Sequence, residues 1–209
     1  MKYKRNEREL KDNSGTAKVV GITGGIASGK TVATDALRAH GYFVVDADEV
    51  SRELTARGGD CERALVGLFP DCTDNGVLDR RKLRALISRD VSARDRLNAY
   101  THPLILSKIT ELVTRADRPV VLSAPLLFET ALGRLCDCTV CIICPREKRI
   151  ERIAARDGVS RADAEKILDA QIDDSVRATL ADYCIPSDRD IDDFTEEVVE
   201  LFDRLFGSD

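Results

Sequence analysis

No apolar run in the 209 residues approaches the ~20 that a membrane-spanning helix needs, so the chain is not expected to cross a bilayer. Positive charge is not in surplus either. Its 32 Lys and Arg stand against 37 Asp and Glu, for a formal charge of −5. That balance argues against a general nucleic-acid binder, and any anionic ligand must be met by a local basic patch. Repeats and Pro-rich or Gly/Ser-rich linkers are absent, so nothing divides the chain, and its length suits one large domain carrying a mobile insertion. Residues 1–17 lack the apolar core of a secretory signal, and Glu7, Glu9 and Asp12 count against organelle targeting. They read as a loosely ordered extension, and a cytoplasmic protein with reduced thiols is expected.

Cysteine is not scarce, with seven in the chain, and Cys136, Cys138, Cys141 and Cys144 show overlapping C-x-C and C-x₂-C spacings that resemble metal-ligand pairs. Their surroundings favour another reading. Thr139-Val140-Cys141-Ile142-Ile143-Cys144 is apolar and β-branched, so these cysteines serve as small hydrophobes in a central strand. Alternation would send Cys138 and Cys141 to opposite faces, whereas tetrahedral zinc needs them to converge.

One segment fits a phosphate-binding loop at every fixed position of G-x-x-x-x-G-K-[ST]: Gly24-Gly25-Ile26-Ala27-Ser28-Gly29-Lys30-Thr31. Glycine lets backbone N–H groups turn inward around phosphate oxygens, Lys30 supplies a mobile cation, and the Thr31 hydroxyl can hold Mg²⁺. The context agrees. Residues 18–23 read as a buried strand entering the loop, and Ala33, Ala36, Leu37 and His40 recur at helical spacing after it, with Gly41 placed to end the helix.

Further strands are expected over residues 42–46, 119–123, 138–144 and 183–185, separated by long helical stretches. That alternation implies a three-layer α/β/α fold with a five-stranded parallel sheet. Helical patterns over 50–57, 62–69, 80–87, 93–100 and 104–115 are too many for one crossover and read as an inserted helical cap, about residues 50–116. The phosphate loop, Asp46-Ala47-Asp48 and Pro125-Leu126-Leu127-Phe128-Glu129 all fall at the carboxyl ends of strands, where open parallel sheets bind ligands.

Phosphoryl transfer needs a charge clamp, a metal and a carboxylate near the attacking hydroxyl. Asp46 and Asp48, two apart, share a face if the chain stays extended; the competing reading makes Asp48 the cap of a helix beginning at Glu49. Arg149, Arg152 and Arg156 follow i, i+3, i+7 on a helix after Pro145 and suit a lid over phosphates, about residues 146–178. Ser160-Arg161-Ala162-Asp163 opens the next helix as a capping box running to Gln171, and Arg177 can complete the basic lining. His102 lies just before a helix expected to start at Pro103.

These residues resemble one family, dephospho-coenzyme A kinase, a phosphate-loop enzyme of the last step of coenzyme A synthesis. Five blocks in the family's order carry the resemblance, from about residue 19 to about 206: GITGGIASGKT; VVDADEVSREL; DNGVLDRRKLRALI with LNAYTHPLI; PLLFE; and RIERIAARDGVSRADAEKILDAQ followed by ADY. The resemblance implies a domain over residues 18–209 that moves the γ-phosphoryl of ATP, with Mg²⁺, to the ribose 3′-hydroxyl of dephospho-coenzyme A. By it, Gly24, Gly25, Ile26, Ala27, Ser28, Gly29, Lys30, Thr31 and Val32 grip the nucleotide. Asp48 matches the base, Arg152 and Arg156 the lid arginines, and His102 an acceptor-side residue, with Asp46, Leu127 and Arg177 as further acceptor candidates.

Three positions depart from the family's pattern. Ala27 stands where glycine is usual and is expected to be tolerated if its φ stays negative. Pro186-Ser187-Asp188 replaces an Asn and Gly turn near the adenine, and residues 1–17 have no counterpart. A kinase of another nucleoside-like alcohol shares every loop argument. A regulatory GTPase would also carry a D-x-x-G switch segment and an N-K-x-D segment after the loop, and the chain has neither there.

Overall fold

The apolar, β-branched segments become strands and the amphipathic ones helices, in the order β1 (Lys4–Arg5), β2 (Val19–Gly24), α1 (Lys30–His40), β3 (Phe43–Asp46), α2 (Ala47–Leu54), α3 (Asp60–Leu68), β4 (Thr73–Asp74), β5 (Val77–Leu78), α4 (Arg80–Arg89) and α5 (Val91–Arg115). After these come β6 (Val120–Ser123), β7 (Cys138–Ile143), α6 (Arg146–Asp157), α7 (Arg161–Asp169), α8 (Asp174–Leu180), β8 (Tyr183–Pro186) and α9 (Ile191–Phe206). The computed structural model describes residues 4–5, 18–171 and 174–207, in two compact units: residues 46–114, and the rest of the chain.

The larger unit is built on a sheet of order β1-β8-β7-β2-β6-β3. Parallel pairing joins β2 to both β6 and β7, and β7 to β8, so the loop leaving β2 emerges from the middle of the parallel array. The five expected strands are all present, flanked by helices in three layers. A sixth, β1, was not expected: Lys4 and Arg5 pair antiparallel with Cys184 and Tyr183. The remainder of the 1–17 extension lies outside the described residues.

Period-2 alternation along buried strands explains the two faces. Val20, Ile22, Val140 and Ile142 pack on one side against Ala33 and Leu37 of α1 and Phe194, Val198, Leu201 and Phe202 of α9. Cys141 and Cys184 face the other way, toward Ala181, Ala178 and Phe128. Cys138 joins the first face and Cys141 the second, as expected of hydrophobes in a strand. Burial pushes the Cys136 and Cys141 thiols up to about 12. Gly41 ends α1 in the left-handed region, its N–H reaching the carbonyls of Arg38 and Leu37, as its position predicts.

In the unit 46–114, Cys61, Leu65, Phe69, Cys72, Leu78, Leu83 and Ala93 form a separate core. The β4–β5 hairpin turns on Asn75 (φ 50°) and Gly76 (φ 78°), both positive as a tight two-residue turn requires. The two helices expected on either side of Pro103 are instead one 25-residue helix, α5, with Pro103 inside it. Proline removes one donor from the ladder, but the helix continues through it. His102 is thus an exposed mid-helix residue and does not precede a helix start.

Candidate active site

β2 is buried at all six positions and delivers Gly24 and Gly25 to the sheet's carboxyl edge, where the chain loops before Lys30 starts α1. Gly29 has φ 103°, and a Cβ there would lie 3.2 Å from Ser187, so only glycine fits. Ala27 also has a positive φ, 59°. The condition set for it from the sequence, a negative φ, is not met: this chain holds an alanine in the left-handed region that glycine normally occupies. Ser28 is fully buried, and its Oγ has no hydrogen-bond partner among the described residues. Lys30 Nζ donates to Ser123 Oγ at the end of β6, 2.7 Å away. Thr31 and Val32 stand exposed on the first turn of α1.

The arginines of α6 do not act alike. Arg149 is buried, donates Nε to the Ile26 carbonyl (2.8 Å) and pairs with Asp174. Arg152 donates to the Ala27 carbonyl (3.1 Å) and to the Ser187 carbonyl (2.9 Å) and hydroxyl (3.3 Å). Arg156 turns elsewhere: its exposed guanidinium forks onto Asp157 at 2.7 and 2.9 Å, which holds the Asp157 carboxyl below its usual range. Apolar contacts add to the polar ones. Ile26 and Ala27 pack against Ile150, Ile153, Ala164 and Leu168, so α6 and α7 rest on the loop itself.

Two expected acceptor residues lie inside the protein. Arg177 is 1% exposed and sits between Asp174 (3.2 Å) and Glu129 (3.3 Å), where it forms a buried ion network and no open basic lining. Leu127 is fully buried beside Gly21, while its neighbour Leu126 is exposed.

The Asp46-Ala47-Asp48 segment also differs from the extended pair. β3 stops at Asp46, whose Oδ1 accepts from the N–H groups of Asp48 (2.9 Å) and Glu49 (3.2 Å), so Asp46 is the N-cap of α2. Asp48 occupies the first helical turn, and the cap role weighed for it belongs to Asp46. Alternation could not place the two side chains because the chain turns helical between them.

Three partners of the loop were not picked out from the sequence. Gln171 Oε1 accepts from the Ile26 N–H (2.9 Å), the Ser187 hydroxyl donates to the Ser28 carbonyl, and Ser123 accepts from Lys30. Ser123 ended a predicted strand at the ligand edge, which was the available signal. Ser187 lay within the departure from the family's turn, and Gln171 closed a predicted helix.

A family model described as dephospho-CoA kinase matches residues 18–193, most of the chain and all of the loop. The chain belongs to the dephospho-CoA kinase family. A dephospho-CoA kinase of Idiomarina loihiensis is 37% identical over 193 residues, covering 91% of this chain and 96% of that one. One from Dechloromonas aromatica is 39% identical over 176 residues, covering 82% and 85%. Among solved structures, a dephospho-CoA kinase from Campylobacter jejuni superposes with a TM-score of 0.70 at 25% identity, covering 90% of this chain and 97% of that one. A shikimate kinase from Acinetobacter baumannii, at 15% identity and a TM-score of 0.52, shares the fold over 91% and 93%. Among the described residues, no helix is long and apolar enough to cross a membrane.

Proposed function

We propose that this chain transfers the γ-phosphoryl of ATP to the ribose 3′-hydroxyl of dephospho-CoA. The observation that carries the reading is a complete phosphate loop, with Lys30 drawn to Ser123 at the ligand edge of the sheet, in a chain of the dephospho-CoA kinase family. Loop N–H groups and Lys30 bind and orient the triphosphate. Asp48 takes the proton of the attacking hydroxyl, and Asp46 fixes the start of α2 and so the position of Asp48. We assign residues 46–114, with His102, to enclosing the acceptor, and α6 to α8, with Arg152 and Arg156, to the lid. Arg177 and Leu127, both buried, support the site from behind.

The donor set suits Mg²⁺, which takes few protein ligands and keeps phosphate and water oxygens: Thr31 offers one exposed hydroxyl beside Lys30, and no carboxylate cage occurs among the described residues. An ion held through Thr31 would supply positive charge against the negative charge of the phosphates. A cytoplasmic setting suits seven thiols. The test is ADP release with and without dephospho-CoA, beside a panel of nucleoside alcohols. ADP release that depends on dephospho-CoA is expected, and Asp48→Asn should lower kcat by about 10² to 10⁴ while ATP still binds. Release that ignores dephospho-CoA but follows another alcohol would overturn the acceptor assignment.

A further inference from the structure

A loop that binds phosphate through its backbone is only as accurate as the orientation of its peptide planes, and here those planes are held from outside. The plane between residues 25 and 26 is held from within by the Ser28 N–H on the Gly25 carbonyl (3.1 Å) and from outside by Gln171 Oε1, which accepts from the Ile26 N–H at 2.9 Å. The next, between 26 and 27, is held by Arg149 Nε on the Ile26 carbonyl at 2.8 Å. Arg152 on the Ala27 carbonyl (3.1 Å) holds the third, and the Ser187 hydroxyl on the Ser28 carbonyl holds the fourth. Fixing both planes that flank a residue fixes its φ and ψ. Gln171 and Arg149 together therefore set Ile26, and Arg149 and Arg152 set Ala27, the residue least inclined to stay where it is, with φ 59°.

We propose that Gln171 is a positioning residue for the phosphate loop: from the segment just after α7 it orients the first of these planes and so sets the loop's grip on a triphosphate. Arg149 and Arg152 lie on α6 and Gln171 directly after α7, and the two arginines have further partners: Arg149 with Asp174, and Arg152 with Ser187. Gln171 and Ser187 are the uncharged members, and Gln171 is the one that meets a loop N–H. Its side chain touches no phosphate in this assignment, which rests on the proposed ATP site.

The experiment measures the affinity of the folded full chain for ATP and for inorganic tripolyphosphate, with the melting temperature of each variant recorded alongside. Gln171→Met keeps the side chain's length but removes the acceptor. It should weaken both ligands by the same factor, about fivefold, the worth of one hydrogen bond. Gln171→Asn, too short to reach, should behave as Met does. A lowered melting temperature with unchanged affinity for both ligands would make Gln171 a mere fastener of α7 and overturn the inference. So would a loss confined to ATP, which would mark an adenine or ribose contact. Failure of the unaltered chain to bind either ligand would instead overturn the ATP site, and this inference with it.

Discussion

At Ala27 the backbone and the side chain pull in opposite directions. A non-glycine residue in the left-handed region costs about 1–2 kcal/mol, yet this methyl packs against the cluster formed by Ile150, Ile153, Ala164 and Leu168. Ala27→Gly would relieve the first term but lose the second and loosen the unfolded chain, so the change in stability should stay within about 1 kcal/mol. Ala27→Val has no such compensation. A β-branched residue at φ 59° is a true outlier, and the variant should lose about 2 kcal/mol or more in urea unfolding, with weaker ATP binding. A valine variant as stable as the natural chain would show that the loop takes another conformation in solution. The alanine was visible in the sequence; the sign of its φ was not, because partners 123 to 125 residues away set it.

The helices and strands themselves were mostly legible, because each carried its own start or stop signal. Gly41 ends α1 and Ser160 caps α7, accepting from the Asp163 N–H, as their positions predicted. Signals failed where they conflicted: Pro103 promised a break that α5 overrides, and Asp48 competed with Asp46 for a cap that geometry gives to Asp46. The loop's outer contacts were illegible because they join distant segments with no shared pattern, as Gln171 does with Ile26. Capping also yields a prediction at this scale. Asp79 accepts from the N–H groups of Lys82 and Arg81 at the start of α4, and the Lys82 bond foremost holds its carboxyl below the usual range. A depressed carboxylate contributes stability above its unfolded pKa and loses it as pH falls through the folded one. Asp79→Ala should therefore melt below the natural chain at pH 7, with the gap closing as pH falls below the ordinary Asp range. A gap that persists in acid would mean that something other than the ionised cap is lost.

For the molecule as a whole, the phosphate loop is tied into the fold by alternating charges, two buried arginines and their carboxylate partners: Arg149, Asp174, Arg177 and Glu129, drawn from α6, α8 and the segment after β6. Side-chain exposures of 8%, 18%, 2% and 20% along this row put it largely beyond solvent screening. Such networks are poor sources of net stability but costly to break, since removing one member strands its partner in low dielectric. In Arg177→Met, Asp174 keeps Arg149 whereas Glu129 loses its arginine, so the loss should be about 3 kcal/mol, a large part of the ~5–15 kcal/mol that holds a typical domain together. Raising NaCl from about 0.1 to 1 M should leave that difference nearly unchanged, as the Debye length argument applies to exposed charges only. The second change Glu129→Met should restore part of the loss, because the stranded carboxylate goes with it. If the double variant unfolds at lower urea than Arg177→Met alone, Glu129 is stabilised by something other than Arg177, and the loop is not anchored through this row.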